Sequence, residues 1–110
     1  VSRIPTAVVN EVLERAQGHC EACSWPILGA YALHHRHPRG RGGSKLPWID
    51  TAVNLMVLHG DFDNNCHNLT SYSVHSRVTR SRRLGHIIPY GTDPATVPVT
   101  VEPRLRAVLL

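Results

Sequence analysis

The stretch Leu33-His34-His35-Arg36-His37-Pro38-Arg39-Gly40-Arg41-Gly42-Gly43, continued by Ala52-Val53-Asn54-Leu55-Met56-Val57-Leu58-His59 and closed by Cys66-His67, decides the fold. Its parts are a short apolar run ending in tandem histidines, a glycine- and arginine-rich loop, and a second apolar run leading to His, Cys and His. A Cys-x-x-Cys pair, Cys20 and Cys23, lies just upstream. The spacing points to two metal sites, one that staples the chain and one that does chemistry.

Consider first the tandem histidines. Ala30 to Leu33 reads as a strand, reached from Trp25 through a short hairpin or bend. Neighbouring side chains on a strand point to opposite faces, so His34 and His35 take different roles, one toward an ion and one toward a substrate; the alternative is a pair of surface histidines. From Pro38 to Pro47 the chain is a loop in which Gly40, Gly42 and Gly43 free the backbone. Arg36, Arg39, Arg41 and Lys45 cluster there and could reach phosphates, unless the loop is simply a solvated basic one. Asp50 to Leu58 is a turn into a buried strand or helix start. Asn54 interrupts its apolar run, and a buried amide needs hydrogen-bond partners, which suggests turn capping or loop tethering.

His59 and Cys66 bracket a wide turn. A helix is expected from His67 to about Val74, and adjacent helical residues differ by about 100° in direction. Cys66 could then face one ion while His67 faces another. Upstream, Cys20 and Cys23 could converge on one ion; the alternatives are a redox dithiol, for which no βαβ unit is present, or two ordinary buried thiols. Three cysteines leave one over in a disulfide framework, whereas three thiols and one His complete a tetrahedral zinc site. That favours a reducing, intracellular compartment.

Farther out, Ile4 to Gln17 is an amphipathic helix with Val8, Val9, Val12, Leu13 and Ala16 on one stripe and Gly18 as its stop. Ser76 to Leu84 suggests a basic helix stopped by Gly85. His86 to Tyr90 and Val97 to Val101 resemble short strands that Pro89, Pro98 and Pro103 would place at an edge or make irregular. A length of 110 residues argues for one domain, 1–110, with a modest core that a metal would help to staple. A net charge of +4 favours an anionic partner, nucleic acid first. No apolar run approaches membrane-spanning length, and no signal-peptide pattern opens the chain.

Together, in this order and spacing, Cys20-x-x-Cys23, His34-His35-Arg36-His37-Pro38-Arg39-Gly40-x-Gly42-Gly43, Asn54-Leu55 and Cys66-His67 resemble the HNH endonucleases, especially small HNH proteins of actinobacterial phages. The resemblance implies an α+β fold: a zinc-stapled ββα-metal (His-Me finger) core over about 20–75, with the N-terminal helix, the basic helix and the short strands added. His34 and His67 would be ligands of a catalytic divalent cation such as Mg²⁺, Mn²⁺ or Ni²⁺. His35 would be the general base, its other ring nitrogen fixed by a backbone carbonyl, and Asn54 would tether the loop and help orient it. Cys20, Cys23 and Cys66 would hold structural zinc, with His59 where the family usually has a fourth Cys. Some members carry another metal-binding His one turn after the closing one; Ser71 stands there, which leaves the ion two protein ligands and waters.

The activity implied is hydrolysis of DNA, by nicking or double-strand cleavage, with little sequence preference and with 5′-phosphate and 3′-hydroxyl products. The partner is DNA, with a phage terminase or other packaging protein a candidate second one, in the cytoplasm of a bacterial host. The alternative function is a non-catalytic, zinc-stapled DNA-binding module.

Overall fold

The computed structural model describes residues 4–38, 46–61, 65–68 and 72–101. Helix α1 (Thr6–Ala16) is followed by strand β1 (Tyr31–His35), strand β2 (Leu55–His59) and a short helix α2 (Val78–Arg83). Single 3₁₀ turns lie at Ala52–Asn54, Val74–Ser76 and Pro94–Thr96. The fold is therefore α+β. Among the described residues no helix is long and apolar enough to cross a membrane.

The two strands pair antiparallel, with Leu33 opposite Val57, His34 opposite Met56 and His35 opposite Leu55. Alternation along the strands divides the core. Leu33, Leu55 and Val57 pack with Ala52 against the stripe Val8, Val12, Leu13 and Ala16 of α1. Met56 and Leu58 face the other way, into a cluster with Cys20, Cys23, Cys66 and Val74. The sheet thus carries a helix on one face and a cysteine cluster on the other.

Helix α1 ends as its sequence suggests, one residue early. Gln17 already adopts the left-handed conformation (φ 50°) and donates its N–H to the Leu13 carbonyl, and Gly18 continues at φ +80°. A further tie is not legible in the sequence. The Arg15 guanidinium makes two bonds of 2.7 Å to the Glu21 carboxylate and also donates to the carbonyls of Ala52 (2.8 Å) and Leu55 (2.7 Å). Glu21 in turn accepts from the Val57 N–H. One exposed-looking pair therefore locks α1 to the start of β2.

One expected helix is absent among the described residues, and the elements after it are shorter or irregular. Among the described residues the helix expected from His67 to Val74 is not present: residues 66–68 make a turn, and the Val74 and His75 N–H groups donate to the carbonyls of Cys66 and His67 (2.6 and 3.0 Å). A continuous helix would separate His67 from His75 by roughly 12 Å along its axis, which that bond forbids. Asn65 accepts from the N–H groups of His67 and Asn68, both at 2.9 Å, and so stabilises the turn. The strands expected at His86–Tyr90 and Val97–Val101 are irregular. Pro89, Pro94 and Pro98 withdraw ladder donors, and the segment is held instead by single bonds, Ile88 N–H to the Arg36 carbonyl and Thr100 N–H to the Leu84 carbonyl. The basic helix is shorter than expected and stops before Gly85, at φ +79°, where a Cβ would collide with the Pro98 carbonyl.

Candidate functional site

The cysteine cluster is built from two tight turns. In one, the Cys20 N–H donates to the Trp25 carbonyl and the Ser24 N–H to the Cys20 carbonyl, with Ser24 left-handed at φ 70°. In the other, the Cys66 N–H donates to the His59 carbonyl at the end of β2. These turns bring Cys20, Cys23, His59 and Cys66 together, all buried, with one ligand atom from each within 4.8 Å of the others. The Cys23 and Cys66 sulfurs are 3.7 Å apart, and His59 Nδ1 lies 3.5 and 3.4 Å from them. A tetrahedron with Zn–S of ~2.3 Å and Zn–N of ~2.0 Å has edges of about 3.8 Å (S···S) and about 3.5 Å (S···N). The donor set therefore fits zinc, and no cysteine is in a disulfide.

The imidazole of His59 is oriented to coordinate. Its Nε2 donates to the Pro26 carbonyl at 2.9 Å, which leaves the Nδ1 lone pair toward the sulfurs. The three thiols titrate as a unit. Cys23 is drawn far below the ordinary thiol value, first by a hydrogen bond with Cys20 and then by one with Cys66, while Cys66 is pushed up by its hydrogen bonds with Cys20 and Cys23.

A second cluster lies beyond the tandem histidines. His34, His67 and His75 bring ring nitrogens within 4.8 Å of one another. Their rings meet edge-on, with centroids 4.7–5.3 Å apart, and the Nε2 atoms of His67 and His75 are 3.2 Å apart. His34 is 1% exposed, and its Nε2 donates to the His86 carbonyl at 2.6 Å, so Nδ1 keeps its lone pair. Burial holds the His34 pKa down at about 3 against the stabilising carbonyl bond, with repulsion from His75 and His67 adding to it. His67 and His75 are also lowered, chiefly by desolvation. All three are neutral at pH 7 and can donate lone pairs to a cation. Where two protein ligands were expected, His75 lies close enough to be a third. Sequence reasoning does not find His75, because the helix expected from His67 ends at Val74 and the family pattern places a further ligand one turn after the closing His, at Ser71; the bond from the His75 N–H to the His67 carbonyl is what brings it close.

His34 and His35 both line one cleft of about 520 Å³, with Leu33, Arg36, Pro38, His67, His75, Val78 and Ile87. His34 sits at its floor. His35 ends β1 at the rim, where its Nε2 lies 2.8 Å from Asp50 Oδ1. The partner of the ring is thus a carboxylate, where a backbone carbonyl was expected.

Asn54 is fully buried. Its Oδ1 accepts from the His37 N–H at 2.8 Å, and its Nδ2 donates to the Ile49 carbonyl at 2.8 Å. It tethers the loop as its residue type suggests. His37 shapes the same loop: Nδ1 donates to the Pro38 carbonyl and Nε2 accepts from the Gly91 N–H.

Among the residues expected on DNA, Arg36 is corrected. It is 3% exposed, and its guanidinium donates to the carbonyls of Gly85 (2.7 Å), Val53 (2.7 Å), Pro94 (3.2 Å) and Val97. It therefore organises the irregular segment in place of meeting phosphate. Arg39, Arg41 and Lys45 lie outside the described residues, as does Ser71. Comparison of the chain with protein-family models and with curated proteins finds no match.

Proposed function

We propose that this chain is a metal-dependent nuclease of the HNH class that hydrolyses DNA phosphodiester bonds. His34, His67 and His75 hold the catalytic cation, His35 is the general base, and Cys20, Cys23, His59 and Cys66 hold a structural zinc. The observation that carries the proposal is the convergence of three neutral imidazoles beside a fourth, carboxylate-bonded one in a single cleft. The order of the residues supports it as well: two strands, a buried Asn on the connection between them, and a closing His next to a zinc ligand. The role in phage DNA processing alongside a terminase, in a bacterial cytoplasm, rests on the sequence resemblance.

A divalent cation on the three imidazoles supplies Lewis-acid polarisation of the phosphate and stabilisation of the leaving oxygen. An all-imidazole donor set suits Ni²⁺ or Zn²⁺ better than Mg²⁺, which prefers oxygen. The remaining steps belong to the chain. His35, with Nε2–H committed to Asp50, presents Nδ1 to a water. The water proton passes to Nδ1 as its oxygen forms the new P–O bond. The P–O3′ bond breaks, its electron pair stays on O3′, and solvent protonates that oxygen. Arg39, Arg41 and Lys45 position the backbone.

A plasmid-nicking assay across Mg²⁺, Mn²⁺, Ni²⁺ and Zn²⁺ tests this. Wild-type protein is expected to nick, and His35→Ala to keep DNA binding while cutting roughly 10²–10⁴-fold more slowly. Wild-type protein that binds DNA but cuts with none of these metals would be a non-catalytic module, and His35→Ala cutting at the wild-type rate would remove His35 from the chemistry.

A further inference from the structure

We infer that Asp50 is a positioning residue for His35, selecting the ring tautomer that leaves Nδ1 free toward the cleft. The inference rests on the nuclease reading for its catalytic consequence, but the tautomer itself does not depend on it. The geometry carries the case. Asp50 Oδ1 is 2.8 Å from His35 Nε2, and the two side chains are only 20% and 17% exposed. An ionised carboxylate only accepts hydrogen bonds, so the bonded nitrogen carries a proton, and in the neutral ring the other keeps its lone pair. The same pairing also fixes the ring plane, because a strand-end side chain at a cleft rim would otherwise sample several rotamers.

The pairing is built into the fold from both sides. Asp50 closes the turn 47–50, in which Ile49 N–H donates to the Leu46 carbonyl and Thr51 N–H to the Trp48 carbonyl. Ile49 is 5% exposed and anchors that turn. The Asn54 side chain then bridges the two halves: its Oδ1 accepts from the His37 N–H just past His35, and its Nδ2 donates a hydrogen bond to the Ile49 carbonyl just before Asp50. Backbone bonding closes the frame, with the Arg36 N–H on the Asn54 carbonyl at 2.8 Å. Asn54 therefore acts on the base through Asp50: it holds the carboxylate-bearing turn against the strand end. A surface ion pair formed by chance would have no such frame.

The experiment combines cleavage kinetics with nitrogen NMR of ¹⁵N-histidine-labelled, zinc-loaded protein. In the wild type, His35 is expected to show the Nε2–H tautomer. Asp50→Asn is expected to lose that preference and to lower kcat by about 10²-fold or more, with ~10⁴-fold as the ceiling set by losing the base altogether. DNA affinity and zinc content should not change, and Asp50→Glu should recover part of kcat. Added to His35→Ala, Asp50→Asn should cost nothing further, because Asp50 acts only through His35. An Nδ1–H tautomer in the wild type, Asp50→Asn cutting at the wild-type rate, or a further loss in the double variant would each overturn the inference. If the wild type cuts no DNA, the nuclease reading fails while the tautomer measurement still decides the role of Asp50.

Discussion

Replacing Arg36 by Met separates a structural arginine from a DNA-binding one. The guanidinium reaches four carbonyls, those of Val53, Gly85, Pro94 and Val97, and so ties the 3₁₀ turn before β2 to the irregular segment after α2. Burial lowers its pKa, and nearby Arg15 adds to the effect, so the positive charge is already costly to place there. Met keeps much of the apolar stem and removes every donor. Buried acceptors left unmet cost ~1–3 kcal/mol each. A groove of about 440 Å³ borders Arg36, Val53, Pro94 and Val97, so water can reach some of them and the lower end applies. Four acceptors at ~1 kcal/mol give a loss of about 4 kcal/mol, a large part of the ~5–15 kcal/mol that holds a typical domain. Arg36→Lys keeps the charge but not the fork, and should lose about half as much. Urea denaturation of zinc-loaded protein, followed by circular dichroism, measures both. In parallel, the salt dependence of DNA binding by Arg36→Met, measured where it is still folded, should keep the wild-type slope. Wild-type stability of Arg36→Met, joined to a slope reduced by roughly 0.9, would refute the structural assignment and return Arg36 to the phosphate backbone.

Further outcomes are expected at the two clusters and in acid. Protein purified without added zinc should carry about one tightly held zinc ion, the number a closed four-ligand site takes, and Cys66→Ser or His59→Ala should release it; full zinc content in both variants would place the ion elsewhere. His75→Ala should weaken divalent-cation binding at the second cluster by at least ~10-fold in calorimetry while leaving zinc content intact, and unchanged affinity would exclude His75 as a ligand. His34 has a folded pKa of about 3, below its unfolded value of 6.5. The fold therefore favours the neutral ring, and that stability is present above about pH 6.5 and lost as pH falls toward 3. Between pH 6.5 and 5 the wild type should lose up to ~1.4 kcal/mol per pH unit more than His34→Gln; parallel denaturation profiles would show that His34 is not held neutral by the fold.

Legibility in the sequence follows the range of the forces involved. The α1 stripe, the stop near Gly18 and the first strand are local patterns and are readable, whereas the apolar run 55–58 reads equally as strand or helix start until it is paired. Cys20, Cys23 and Cys66 are readable as a thiol set that needs one His, whereas the wide turn from His59 to Cys66 leaves the choice of His to the resemblance, and the structure places His59 there. His75 is not readable, since its nearness to His34 and His67 comes from the backbone bonds of Val74 and His75 back to Cys66 and His67. Asp50 is not, since an acid four residues before Asn54 looks like any turn residue. Arg36 misleads for a related reason: within a basic run, sequence does not say which arginine turns inward to carbonyls.

The two clusters are not independent, because neighbouring residues on the same backbone serve both. Cys66 belongs to the sulfur cluster and His67 to the imidazole cluster, one peptide bond apart. The carbonyl of each accepts a hydrogen bond from the strip that carries His75, through Val74 and His75 themselves. On the other side, β2 runs from the Asn54 clamp to His59, and β1 lies against it with His34 opposite Met56. An ion fixed among Cys20, Cys23, His59 and Cys66 therefore fixes the backbone positions of His67 and His75 and the sheet from which His34 projects. A small core has few other means of holding three imidazoles together, since His67 is only partly buried and His75 exposed, and both would otherwise turn toward water. The proposed zinc is thus the scaffold of the proposed catalytic site: it fixes the backbone on which the imidazole ligands converge.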